Sequence, residues 1–122
     1  FQRQAAEAGI APEIMHVDLP NRRIFMEAMS ARVVDELDES DERFERELSE
    51  IMLKLDEIGI LHNDGNPLNL MLDDEDNLKI IDFGLSKKIT PAVRKKWDNA
   101  PNVKVTLRLL KRGLKKYGIR VK

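Results

Sequence analysis

A chain of 122 residues, 42% apolar and 35% charged, is long enough for one small core and too apolar for a disordered segment. It has no Cys, which excludes a disulfide framework and a thiolate metal site, and no apolar run that could cross a bilayer or open a secretory signal. The net charge of −1 hides a split, because residues 1–85 carry 21 Asp/Glu against 8 Lys/Arg, while residues 86–122 carry 13 Lys/Arg and one acid, Asp98. That division predicts pairing between the halves or a basic tail for an anionic partner. An intracellular, non-secreted setting with no membrane contact is expected. The chain opens on Phe1 rather than Met, so a fragment, a processed chain or only the ordered part of one is expected.

In chain order, Phe1–Ala8 reads as the end of a helix stopped by Gly9. Ile14–Val17 and Arg23–Glu27 read as strands joined through Leu19-Pro20-Asn21, and Ala31–Leu37 as a short helix. The strongest helix follows, with Ser40 as its expected N-cap, Asp41 and Glu42 in the first turn and Gly59 as its C-cap. Phe44, Leu48, Ile51, Met52, Leu55 and Ile58 form one apolar stripe along it. Leu68–Leu72 and Leu78–Ile81 predict a β-hairpin around the acidic turn Asp73-Asp74-Glu75-Asp76-Asn77. That turn lacks the central Gly and closing Glu of a calcium loop. Thr90-Pro91 predicts another N-cap and first helical turn, with Val93 and Trp97 on one face. A last helix carries the stripe Val103, Leu107, Leu110, Leu114 and Tyr117, its other faces filled by Lys and Arg.

The stretch from Leu61 to Gly84, LHNDGNPLNLMLDDEDNLKIIDFG, holds the chemistry. Asp64 lies in a loop that the long helix delivers, Asn69 begins the next strand, and Asp82 follows the hairpin at a Phe-Gly turn. If loop and hairpin lie side by side, Asn69 and Asp82 offer hard oxygens suited to Mg²⁺, which binds through one or two protein groups plus phosphate oxygens. Asp64 then remains free to take a proton from a hydroxyl. Phosphoryl transfer needs this division of labour.

The pattern resembles the protein-kinase superfamily, whose catalytic loop reads His-x-Asp-x-x-x-x-Asn and whose metal motif reads Asp-Phe-Gly. Here the two stand as His62-Asn63-Asp64-Gly65-Asn66-Pro67-Leu68-Asn69 and Asp82-Phe83-Gly84. The resemblance implies an α+β fold: a mostly helical kinase-like C-lobe at 30–122 with a small hairpin carrying the Asp-Phe-Gly motif and a basic C-terminal helix. Residues 1–29 would be an N-lobe remnant, one helix end and two strands, with the hinge. It assigns Asp64, His62 and Asn66 to the catalytic loop, with His62 as an anchor. Asn69 and Asp82 become the metal ligands, and Met26, Glu27, Met29, Leu70 and Ile81 line the nucleotide pocket. Asn66 stands where protein-serine kinases carry Lys. The glycine-rich phosphate loop and the strand lysine would lie before Phe1, and only a short segment separates Gly84 from Thr90-Pro91. In this economy the chain looks like RIO-type kinases, KEOPS-complex tRNA-modification kinases or aminoglycoside phosphotransferases.

The function so implied is that of the C-lobe portion of an ATP- and Mg²⁺-dependent phosphotransferase of Ser/Thr protein-kinase type. Its partners would be ATP and a protein substrate. The alternative is a non-catalytic kinase mimic or scaffold that binds a protein partner through the same surface. The basic last helix adds RNA as a further expected partner, although no base-stacking motif accompanies it.

Overall fold

The computed structural model describes residues 1–18, 20–21, 23–26 and 29–121, with the side chains of 16–18 and 23–26 outside that description. A single long helix, α3 (Glu42–Ile58), organises the rest. Its buried face is Phe44, Leu48, Ile51, Met52 and Leu55, the stripe that helical spacing predicts. The helix is capped by Asp41, whose side chain accepts the Phe44 N–H at 2.8 Å, and not by Ser40. Ser40 is buried instead, and its backbone N–H donates to Arg120 O at 2.8 Å, which ties the chain's end to the start of α3. Gly59 closes the helix in the left-handed conformation (φ 80).

Small elements surround this axis. Helix α1 (Gln2–Glu7) contributes buried Ala5 to the core. Strands β1 (Ile14–Asp18) and β2 (Arg23–Met26) pair antiparallel, with an irregularity between Ile14 and His16. The expected helix over Ala31–Leu37 divides in two: β3 (Ala31–Arg32) and the four-residue α2 (Val33–Glu36). Pairing of Ala31 with Leu72 and of Arg32 with Met71 draws the first two residues into a sheet. That sheet runs β3-β5-β6, built on the hairpin of β5 (Leu70–Leu72) and β6 (Leu78–Ile80). Ile80 N–H also donates to Ile10 O at 2.9 Å, so the segment after α1 lines the sheet's edge.

A further pairing joins β4 (Ile60–Leu61) to β7 (Lys87–Lys88). Helix α4 (Pro91–Lys96) begins as expected, with Thr90 Oγ1 accepting the Val93 N–H. A π-helical segment, Asn102–Thr106, then runs into α5 (Leu107–Lys116). Leu110 and Leu114 of α5 join the core, but Tyr117, placed on the same stripe by sequence, is 51% exposed because the helix has ended at Lys116. The acidic and basic halves meet through Lys111–Glu45 (2.9 Å) and Arg120–Glu39 (3.4 Å).

The hairpin turn is fixed by Asp73. Burial raises its carboxyl. Hydrogen bonds from the backbone N–H groups of Asn77 and Glu75 and from the Asn77 side chain, with the charge of Lys79, outweigh that and hold it below the usual 3.8.

Two predictions follow from this packing. Leu55 is fully buried on the core face of α3, near its C-terminal end, so Leu55→Ala should lose about 2–5 kcal/mol in a urea unfolding curve. A loss below about 1 kcal/mol, the range of surface positions, would remove α3 from the core. Asp73 stabilises the fold above its unfolded-state pKa and loses that contribution as pH falls through the lower folded value. Asp73→Asn should therefore melt below the parent at neutral pH; the gap should begin to close as the pH falls below 3.8, and the two should converge only once it has dropped under the lower folded value. A deficit independent of pH would contradict the assignment.

Candidate active site

The loop after β4 is held by a buried polar chain that starts in α3. Asp56, in the last turn of α3, is buried, and its carboxylate faces the start of the next long helical segment. Asp56 Oδ1 accepts the Asn102 backbone N–H at 2.8 Å, and Oδ2 accepts the Val103 N–H at 3.3 Å. These are first-turn donors with no intrahelical partner, and the positive end of the helix favours a carboxylate there. Pro101, with φ −65, suits the turn that precedes them.

Asn102 extends the chain in both directions. Its Nδ2 donates to Asp56 Oδ1 at 2.8 Å and to Ile60 O at 2.7 Å. Its Oδ1 accepts the His62 backbone N–H at 3.1 Å and the Thr106 hydroxyl at 3.2 Å. All four positions available to its amide are thereby used in an interior where an unmade bond is costly.

His62 is fully buried. Its Nε2 lies 2.9 Å from Ile81 O. A carbonyl can only accept, so Nε2 carries the hydrogen, and in the neutral ring Nδ1 is the acceptor. Nδ1 is buried without a partner. The edge-on packing against Phe83, 4.9 Å between centroids at 73°, completes the ring's setting. The His62 ring thus ties its loop to Ile81, the residue before Asp82.

Ile81 is where the loop and the hairpin join. Its carbonyl takes the His62 ring, and its N–H donates to Asn69 O at 2.9 Å. Asn69 closes a 3₁₀ turn, Pro67–Asn69, where a strand was expected. The turn follows from Asn66, whose Oδ1 accepts the Leu68 N–H at 3.0 Å, and from Pro67 at its first position. Asp64 Oδ1 in turn accepts the Asn66 N–H at 3.1 Å, and among the described residues its Oδ2 has no hydrogen-bond partner. The segment 62–69 is therefore a succession of side-chain-to-backbone turns that leaves one carboxylate oxygen of Asp64 available.

Asp82 is exposed and left-handed (φ 60), with Oδ1 accepting the Gly84 N–H at 3.2 Å. A non-glycine residue there is uncommon and is held by the bonds on either side. Asp82, Phe83, Gly84 and Ile81 border a cleft of about 690 Å³ whose other wall is Phe1, Gln2, Arg3 and Ile14. Asn69 is buried, and its Nδ2 has no hydrogen-bond partner. Of the remaining residues assigned to a nucleotide pocket, Leu70 is fully buried in the core and Met29 is half-buried. Glu27 and the side chain of Met26 lie outside the described residues.

Whether Mg²⁺ suits this geometry turns on the donors. Among the described residues no three His, Cys, Asp or Glu gather around one point. Asp82 offers a carboxylate oxygen outside its bond to Gly84, and Asn69, joined to it through Ile81, offers a side-chain amide whose unpartnered buried atom is Nδ2, an N–H group that donates and cannot ligate a metal. A carboxylate and an amide oxygen are residue types that suit Mg²⁺ when phosphate and water fill the rest of its shell.

Sequence reading missed Asp56 and Asn102. The available signal was a carboxylate on the buried face of an apolar helix and an Asn directly after Pro101. Asn102→Ala would leave the Ile60 carbonyl and the His62 N–H buried and unpaired, so a loss of about 2–4 kcal/mol is expected in chemical denaturation. A loss under about 0.5 kcal/mol, typical of surface changes, would show the network to be dispensable.

A family model described as "Phosphotransferase enzyme family" matches residues 1–93. A probable bifunctional tRNA threonylcarbamoyladenosine biosynthesis protein of Methanocaldococcus jannaschii is 36% identical over 77 residues, 63% of this chain and 14% of that protein. Ribosomal protein S6 kinase alpha-2 of Mus musculus is 48% identical over 46 residues, 35% of this chain and 6% of that protein. The chain thus spans a small part of these curated relatives. The crystal structure of monomeric WbdD superposes with a TM-score of 0.53 over 83% of this chain and 29% of that one, at 19% identity, a likeness of fold.

Proposed function

Because the chain belongs to the phosphotransferase enzyme family, within the protein-kinase-like superfamily, we propose that it supplies the lower lobe of an ATP- and Mg²⁺-dependent phosphotransferase acting on a protein hydroxyl, in an intracellular setting. Residues 30–122 are that lobe in this reading, and residues 1–29 are the end of the upper lobe and the hinge. The observation that carries it is the double hold on Ile81, which brings the Asp64 loop, Asn69 and Asp82 to one edge of the hairpin.

Asp64 is the catalytic residue of this mechanism. As the acceptor oxygen forms its bond to the γ-phosphorus, the bond from that phosphorus to the departing ADP oxygen breaks, and Asp64 takes the hydroxyl proton. Mg²⁺ bound with the nucleotide would neutralise phosphate charge. Asn69 and Asp82 would hold it, and Ile81 would border the nucleotide. His62 positions the loop from beneath, and Asn66 shapes the turn that leaves Asp64 Oδ2 free.

The test is a titration of Mg-ATP into the parent and Asp82→Asn, followed through the backbone amide signals of residues 81–84. The parent should respond and the variant should bind several-fold more weakly, because a carboxylate facing the metal is lost. Equal affinity in the two would overturn the metal assignment. No response in either would favour the non-catalytic scaffold reading.

A further inference from the structure

Helix α5 lies unusually close to the Asp64 loop, and two glycines permit it. A Cβ on Gly65 would come within 2.5 Å of Leu109 Cβ, and one on Gly113 within 2.6 Å of Pro67 Cδ. Gly65 follows Asp64 directly, so their Cα atoms are about 3.8 Å apart. A groove of about 460 Å³ runs between loop and helix, lined on one side by Gly65 and Asn66 and on the other by Arg112, Lys116, Leu109 and Tyr117.

The wall of that groove has a definite chemistry. Arg112 and Lys116 are exposed and make no ion pair among the described residues, unlike Lys111, which is taken by Glu45. Leu109 and Tyr117 are 39% and 51% exposed. On the other flank of α5, Arg112 borders a second groove with Arg108, Lys111 and Lys115, so the positive field continues past the crest of the helix.

We propose that this groove receives the phosphoacceptor and that the acceptor is an acidic peptide segment bearing an apolar side chain. The inference rests on the phosphotransfer reading and names its substrate class. Arg112 and Lys116 take the peptide's carboxylates as charge-assisted hydrogen bonds, and Leu109 and Tyr117 pack its apolar side chain. An extended peptide alternates its side chains, which suits a groove wall that carries both cations and apolar groups. Single-stranded nucleic acid fits less well, because sequence-tolerant binding uses successive aromatic platforms and this groove offers one ring, Tyr117. A polycationic acceptor would be repelled.

The experiment is fluorescence anisotropy with the full chain and no nucleotide, so its outcome is independent of the metal assignment. The probes are a labelled Ser-containing peptide with several Glu and one Phe, the same peptide with Gln for Glu, and a single-stranded oligonucleotide of equal charge. The acidic peptide should bind best. Arg112→Gln/Lys116→Gln should weaken it about tenfold or more, the loss expected for two charge-assisted contacts. Lys95→Gln/Lys96→Gln, which removes as much charge on α4, should change it by less than about twofold, as for exposed charges outside the contact. Both double variants alter exposed side chains, and circular dichroism checks that each retains the fold. Equal binding of the Glu and Gln peptides, or equal losses in the two variants, would overturn the proposal. Tighter binding of the oligonucleotide, lost in Arg112→Gln/Lys116→Gln, would overturn it in favour of a nucleic-acid surface.

Discussion

The site depends on a relay of buried hydrogen bonds that begins at the Asp56 carboxylate and ends at the Ile81 peptide. Asp56 holds Asn102, Asn102 holds the His62 backbone, the His62 ring holds the Ile81 carbonyl, and the Ile81 N–H holds Asn69. Each link crosses between elements far apart in sequence. Together they connect the end of α3, the loop after β4, the start of the last helical segment and the end of β6. A carboxylate at the C-terminal end of α3 is badly placed against that helix's own dipole. It is tolerated because its oxygens face unpaired N–H groups at Asn102 and Val103, where a second helix begins. One unfavourable end is set against one favourable end.

The relay also explains why Asp64 and Asp82, the carboxylates proposed for proton transfer and metal binding, need little support of their own. Asp64 and Asp82 are fixed by short local bonds to Asn66 and Gly84, which orient one carboxylate oxygen and leave the other. Neither forms an ion pair among the described residues, so neither charge is cancelled inside the protein. Rigidity comes from the buried chain beneath, and the two carboxylates stay at the surface. The glycine contact of α5 with the loop works in the same sense, since it lets a cationic helix lie against Asp64's segment without an intervening layer.

Much of this was legible from sequence because it is periodic or local. The α3 stripe follows from spacing, and the Thr90-Pro91 start follows from capping chemistry. The Asp64, Asn69 and Asp82 pattern was visible as a motif, and the structure adds that Ile81 couples its parts. What escaped was long-range or lacked a side-chain pattern. Strand β7 is two exposed lysines joined to β4 by backbone bonds alone, which no hydrophobic alternation could announce. The strand β3 exists because Ala31 and Arg32 meet the hairpin edge, a tertiary contact that overrides local preference. The π-helical turn at Asn102–Thr106 is shaped by a carboxylate 46 residues earlier in the chain.

The central claim is that loop, hairpin and last helix are one rigid unit held by this relay. Native-state hydrogen exchange at the amides of His62, Ile81 and Asn102 tests it most directly, since each N–H is a link in the chain. The account predicts that all three exchange as slowly as the amide of Ile51, buried in the middle of α3, through the same global opening. Exchange of Ile81 or His62 at the rate of the exposed turn at Asp74–Asp76 would show that the loop and the hairpin open independently, and would contradict it.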